Sequence, residues 1–200
     1  PLSLGDYGAV EARMTCWLAG DDRALSLFRR LDADPYVELA KRIYGVDEVD
    51  KQMRWNAKQA ELGCGYGLSH KKFGSMLEVW GADAGSAKRA VDAYRAVHAP
   101  VVRAWRDLER AVLSAAEGCD SDACRTSFRR EGSCVVAVLP SGRCMVYRDA
   151  RVEMLVPAYC AMYGLPPEPK PTVTYRHPQG WRSYLYGGRI MENVSQAATR

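Results

Sequence analysis

Residues 54–67 read "RWNAKQAELGCGYG", and within them Arg54, Lys58, Leu62 and Tyr66 recur every four residues. On an α-helix each step of four advances a side chain by about 40°, so the spacing predicts a slanting stripe of two cations, an apolar group and a tyrosine. Two like charges one turn apart repel by roughly a few tenths of a kcal/mol unless an anion lies between them. An Arg fork beside a mobile Lys charge suits a polyphosphate. The bland alternative is a solvated basic face. Gly63, Gly65 and Gly67 would let backbone or a base approach closely. Their spacing is not the G-x-x-x-x-G-K-S/T of a Walker phosphate loop.

Working outward, a helix is expected to begin near Asp50 and carry this stretch. Asp34-Pro35 is a helix start with proline at the first position, and Gly45 stops the helix after "PYVELAKRIY". Ala9 to Ala19 reads as a helix closed by Gly20, after a short buried strand in "LSLGD". Further helical patterns cover 69–80, 86–97 and 101–117, with Pro100 at the boundary between the last two. At Gly118 the character changes. "SCVVAVLPSGRCMVYR" is two β-rich runs around Pro-Ser-Gly, a hairpin signal. "TVTYRH" and "WRSYLY" follow as strand candidates, and Gly187-Gly188 opens a last helix. The fold class expected is α+β: an antiparallel sheet with a helical block inserted ahead of it.

The 200 residues are 48% hydrophobic and 26% charged, the balance of an ordinary globular chain with a substantial core. No apolar run approaches the ~20 residues of a membrane span, and the N-terminus lacks the parts of a signal peptide. A chain opening on Pro1 without a Met is expected to be a segment of something longer. The net charge of +4 permits a polyanionic partner without requiring one. Seven cysteines at irregular spacings argue for a reducing interior over a disulfide framework. Cys119, Cys124, Cys134 and Cys144 cluster, but lack the paired knuckles of structural zinc sites.

A second element bears on the first. "GDYGAVEAR" places Asp6 at the end of the expected strand, with Glu11 and Arg13 in the helix after it. A carboxylate at a strand end, with a neighbouring backbone carbonyl, is a natural ligand set for Mg²⁺ carrying phosphates. An isolated Asp there would otherwise simply cap the helix.

Together the two stretches resemble the family A DNA polymerases. "DYGAVEAR" is similar to their motif A, D-Y-S-x-x-E-x-R. "RWNAKQAELGCGYG" is similar to motif B, R-x-x-x-K-x-x-x-F-G-x-x-Y-G, at Arg54, Lys58, Gly63, Tyr66 and Gly67. "LPSGR" and "YGGRIMENVSQAATR" resemble the family's palm hairpin and Gln-bearing helix, particularly in bacteriophage members. The resemblance implies a palm strand and helix over 1–20, a helical fingers subdomain over 21–117, and palm sheet and helix over 118–200. It implies a DNA-directed DNA polymerase that adds deoxynucleotides (dNTPs) to a primer–template DNA, monomeric, free of membranes, and acting in the cytoplasm of a bacterial or phage-infected cell. Asp6 would hold two Mg²⁺ ions, with a backbone carbonyl from the Tyr7 region. Arg54 and Lys58 would grip the triphosphate, with Lys58 placed to protonate the leaving group. Leu62 stands where most members have an aromatic ring against the nucleotide. Glu11 would exclude a ribose 2′-OH, held by Tyr66. Tyr36 stands where many members carry a His that touches the triphosphate. Gln196 and Asn193 would touch the minor groove, where contacts test shape and not sequence; Arg13 and Lys71 would meet DNA.

The family also needs a second carboxylate in a His-Asp-Glu turn. His70, His98 and His177 are followed by Lys, Ala and Pro, so that turn is expected beyond Arg200, and the segment alone should not polymerise. Competing readings are a single-subunit RNA polymerase, which Glu11 opposes sterically, and a non-catalytic nucleic-acid-binding module. Trp80 and Trp105 are expected in the core. "FRR" at 28–30 and 128–130 reads as two solvated basic turns.

Overall fold

The computed structural model describes residues 8–199. It is α+β, as expected, and divides into two compact units, residues 1–104 with 191–200 and residues 105–190.

The first unit is helical. Its helices are α1 (Val10–Ala19), α2 (Asp22–Arg29), α3 (Pro35–Tyr44), α4 (Lys51–Cys64), α5 (His70–Val79) and α6 (Ala87–Val97), and it holds the first residues of α7 (Ala99–Ala116). Short polar side chains start four of them. Asp21, Asp34, Asp50 and Ser69 each accept a bond from a first-turn backbone N–H, at 3.1, 2.9, 2.7 and 3.3 Å. α2 had not been expected; it starts at the Asp21 cap and buries Ala24, Leu25 and Phe28 on one face. Pro100 lies inside the first turn of α7 and not between helices, because a missing N–H costs nothing there.

Helices α3, α4, α5 and α6 enclose one core, in which Ala57 and Ala60 of α4 are fully buried against Leu39, Phe73, Val91 and Tyr94. A smaller cluster joins α1 to α2 through Ala12, Cys16, Leu25 and Phe28. Phe28 is therefore core, and only Arg29 and Arg30 of the first "FRR" face water. Trp80 corrects its expectation: it is 42% exposed, with Trp55 edge-on at 5.2 Å between ring centroids.

The second unit carries a six-stranded antiparallel meander in sequence order: β1 (Ser121–Ala123), β2 (Thr126–Glu131), β3 (Cys134–Val138), β4 (Cys144–Leu155), β5 (Lys170–Arg176) and β6 (Arg182–Tyr184). A short α8 (Ala158–Tyr163) links β4 to β5, and α9 (Gly187–Thr199) starts in this unit and ends in the other. The expected hairpin closes at Pro140-Ser141-Gly142, where Gly142 has φ +81° and donates its N–H to the Leu139 carbonyl at 2.8 Å. β1 and β2 had not been expected. The second "FRR" is a strand and not a turn: Phe128 is fully buried, Arg129 pairs with Glu131 at 2.6 Å, and Arg130 donates to the Ala116 carbonyl. Glu109 of α7 binds Lys170 Nζ at 2.5 Å and accepts the Gly187 N–H at 3.1 Å, fixing the start of α9. Trp105 is partly buried.

Candidate nucleotide-binding site

The helix α4 delivers the stripe only in part. Arg54, Lys58 and Leu62 lie on it, but the helix ends at Cys64, so Tyr66 belongs to the turn that follows. The chain leaves the helical path because Gly67, at φ +79°, occupies a backbone region that a side chain disfavours. Gly65 answers a different need. A methyl there would lie 3.3 Å from the Tyr94 hydroxyl, so this glycine serves the protein's own packing.

Arg54 is held in place. Its Nε donates to Asp34 Oδ2 at 2.7 Å, and its guanidinium sits 5.3 Å from the centre of the Tyr36 ring. The other oxygen of Asp34 caps α3. Tyr36 thus stands beside the Arg54 cation, half-buried, its hydroxyl pKa raised by burial and by the carboxylates of Glu61 and Asp34. Lys58 is exposed one turn on, without a salt bridge among the described residues. Leu62 is half-buried beyond it.

Tyr66 joins three segments. Its hydroxyl donates to Glu11 Oε2 of α1 at 3.1 Å and accepts from Ser195 Oγ of α9 at 3.1 Å. Burial pushes the phenol pKa up to about 12; the Ser195 bond opposes this and the Glu11 charge adds to it. The phenol therefore stays protonated, which lets it donate to a carboxylate. The Glu11–Tyr66 pairing matches the expectation. Ser195, beside Gln196 in "ENVSQAAT", was not among the expected site residues, and its one sequence signal is that adjacency.

Other expected residues are more dispersed. Arg13 is exposed, donates to the Gly8 carbonyl at 3.1 Å and lies over the Phe28 ring. Gln196 and Asn193 are half-buried one turn apart on α9, and Lys71 is exposed at the start of α5. Asp6 and Tyr7, the Mg²⁺ ligands implied by the resemblance, lie outside the described residues, as does the "LSLGD" strand. Ala9, just after them, has φ +56°.

A buried polar cluster beside α4 has no signature in the sequence. His98, after α6, places Nδ1 3.1 Å from Asp21 Oδ2 and Nε2 3.3 Å from Glu61 Oε2, and all three residues are buried. Cys16 Sγ lies 4.0 Å from the same Nδ1. Burial alone would lower the imidazole pKa, but the bonds to Asp21, Cys16 and Glu61 outweigh it and push it up to about 12. Among the described residues Cys16, Glu61 and His98 form the one group of three metal-type ligands, within 4.8 Å of one another; the cysteines at 119, 124, 134 and 144 form none.

The family model for DNA polymerase family A matches residues 2–124, more than half of the chain. The DNA polymerase of Bacillus phage SP02 is 27% identical over 98% of this chain, which spans 30% of that protein. The thermostable DNA polymerase I of Thermus filiformis is 33% identical over 52% of this chain, and DNA polymerase I of Pseudomonas aeruginosa is 34% identical over 55%; each match spans 12% of the relative. The chain belongs to DNA polymerase family A.

Proposed function

We propose that this chain is the nucleotide-grasping part of a template-directed DNA polymerase, which adds deoxynucleotides to a primer 3′ end with release of pyrophosphate. The observation that carries the proposal is the α4 face: Arg54 oriented by Asp34, Lys58 exposed one turn later, and Tyr66 bonded to Glu11 just past the helix end. Arg54 engages the triphosphate as a planar fork and Lys58 as a mobile charge, whose ammonium is placed to give the leaving pyrophosphate a proton. Tyr36 and Leu62 border the nucleotide. Glu11, fixed by Tyr66, occupies the space a ribose 2′-OH would need. That fixation favours a DNA over an RNA polymerase, because a steric gate must not swing away.

On this proposal residues 21–117 are the fingers, and residues 1–20 and 118–200 belong to the palm. Gln196, Asn193, Arg13 and Lys71 contact primer–template DNA, and the enzyme works in the cytoplasm. Two Mg²⁺ ions, with Asp6 and the Tyr7 carbonyl among their ligands, would supply Lewis acidity to the primer 3′-hydroxyl and the leaving phosphates. The test is a titration of dATP with Mg²⁺ at low salt, followed by Trp fluorescence. Saturable binding that Lys58→Ala or Arg54→Ala weakens at least tenfold supports the proposal; binding equal in wild type and variants refutes it.

A further inference from the structure

We propose that His98 is a positioning residue for triphosphate binding: a buried imidazolium, gripped by Asp21 and Glu61, that fixes α4 and offsets the charge of a carboxylate beside its cationic stripe. The proposal rests on the nucleotide-binding role of α4 proposed above.

The geometry favours the charged ring. Both nitrogens face carboxylate oxygens, Nδ1 toward Asp21 at 3.1 Å and Nε2 toward Glu61 at 3.3 Å. A neutral imidazole has only one N–H, so one of two ionised carboxylates would face a lone pair. Such a group, buried and unpaired, is strongly destabilising. The Tyr94 ring lies 4.5 Å from the imidazole ring, tilted by 33°. The other groups facing this centre are Cys16 from α1 and, along a cleft of about 260 Å³ that His98 and Glu61 help line, Arg23, Arg30, Glu38 and Arg42.

Glu61 is three residues past Lys58 and seven past Arg54. These steps place it on the same side of α4, about 4.5 Å and about 10.5 Å along the axis from the two cations. Left bare, its charge would oppose a phosphate bound there; at roughly 10 Å and an effective dielectric of about 20 the penalty is on the order of tenfold in affinity. His98 offsets that charge, although one imidazolium shared by Glu61 and Asp21 leaves the three groups with one net negative charge. It also ties α4 to Asp21, which caps α2 through its other oxygen, so α4 is held against a second fixed element.

Two measurements test this. In the unmutated protein, the His98 ring is followed by ¹H–¹⁵N NMR between pH 5 and 9. Two hydrogen-bonded ring N–H signals persisting to pH 9 are expected; a ring titrating below pH 8 overturns the proposal without needing a variant. Second, dATP·Mg²⁺ is titrated against His98→Gln and against the pair His98→Gln with Glu61→Gln. The single variant is expected to bind roughly tenfold more weakly, and the pair to recover most of the loss because it removes the carboxylate as well. Unchanged affinity in His98→Gln overturns the positioning role and leaves the proposed function standing. Loss without recovery in the pair overturns the charge-offsetting role. Absence of Lys58-dependent binding in the wild type refutes the proposed function and the nucleotide role of His98 with it, while the NMR still decides the imidazolium. Stabilisation of the wild type by added Zn²⁺, abolished by Cys16→Ala, would assign the cluster to a metal and overturn the proposal.

Discussion

Replacing Tyr66 by Phe removes one oxygen and tests whether Glu11 is held by a real bond. That oxygen gives one hydrogen bond to the Glu11 carboxylate and takes one from Ser195, each at 3.1 Å. Bonds to a charged acceptor contribute about 1.5–3 kcal/mol when buried; Glu11 is only half-buried, so the low end applies. Ser195 loses less, because its hydroxyl also reaches the Glu192 carbonyl at 3.2 Å. The expected destabilisation is about 1–2 kcal/mol. Urea unfolding of wild type, Tyr66→Phe, Glu11→Ala and the double variant forms a cycle whose coupling should be about 1 kcal/mol, since both residues share the bond. The alkaline limb offers a second check. Tyr66 titrates near 12 in the folded chain against 10 for the free side chain, so the unfolded state loses its proton first and stability falls as pH rises from about 10 to about 12. That loss should shrink in Tyr66→Phe. Strict additivity in the cycle, within about 0.3 kcal/mol, would refute the idea that Tyr66 fixes the gate.

Three further outcomes are expected. A methyl at residue 187 would fall on the backbone carbonyl of Trp105, so Gly187→Ala should cost more than about 3 kcal/mol or prevent folding, read by circular dichroism and urea midpoint. Asp34→Ala removes the cap of α3 and the partner of Arg54; it should cost about 1 kcal/mol in urea unfolding and weaken dATP binding by less than Arg54→Ala does, because the guanidinium remains but is no longer held. His98 has its pKa raised in the folded chain, so its contribution to stability is complete below about pH 6.5 and drains away at about 1.4 kcal/mol per pH unit as pH rises toward 12; a His98→Leu variant should show a flatter profile between pH 7 and 9.

Much of the first unit was legible because its signals are local. Asp34, Asp50, Gly20 and Gly45 end helices through bonds to their own neighbours, and a cap acts wherever it occurs. The Pro140-Ser141-Gly142 hairpin is local in the same way. The β1–β2 hairpin was not legible, because Cys124 and Arg125 turn it at φ +52° and +59° without a glycine or asparagine to announce it. The sheet imposes that conformation on residues that would avoid it alone.

The candidate site divides along the same line. The four-residue spacing of Arg54 and Lys58 and the order of the two motifs are properties of the chain, so the sequence by itself determined the family and the cationic face. Tertiary structure decided which partners those residues have. Asp34 reaches Arg54 from 20 residues away, Glu11 reaches Tyr66 from 55, and Ser195 from 129. His98 is the plainest case: between Val97 and Ala99 it has no motif, and only folding brings Asp21 from 77 residues away and Glu61 onto opposite nitrogens. A buried charge is tolerable only with its counter-charges in place, and that condition is written in three dimensions rather than in any stretch of sequence.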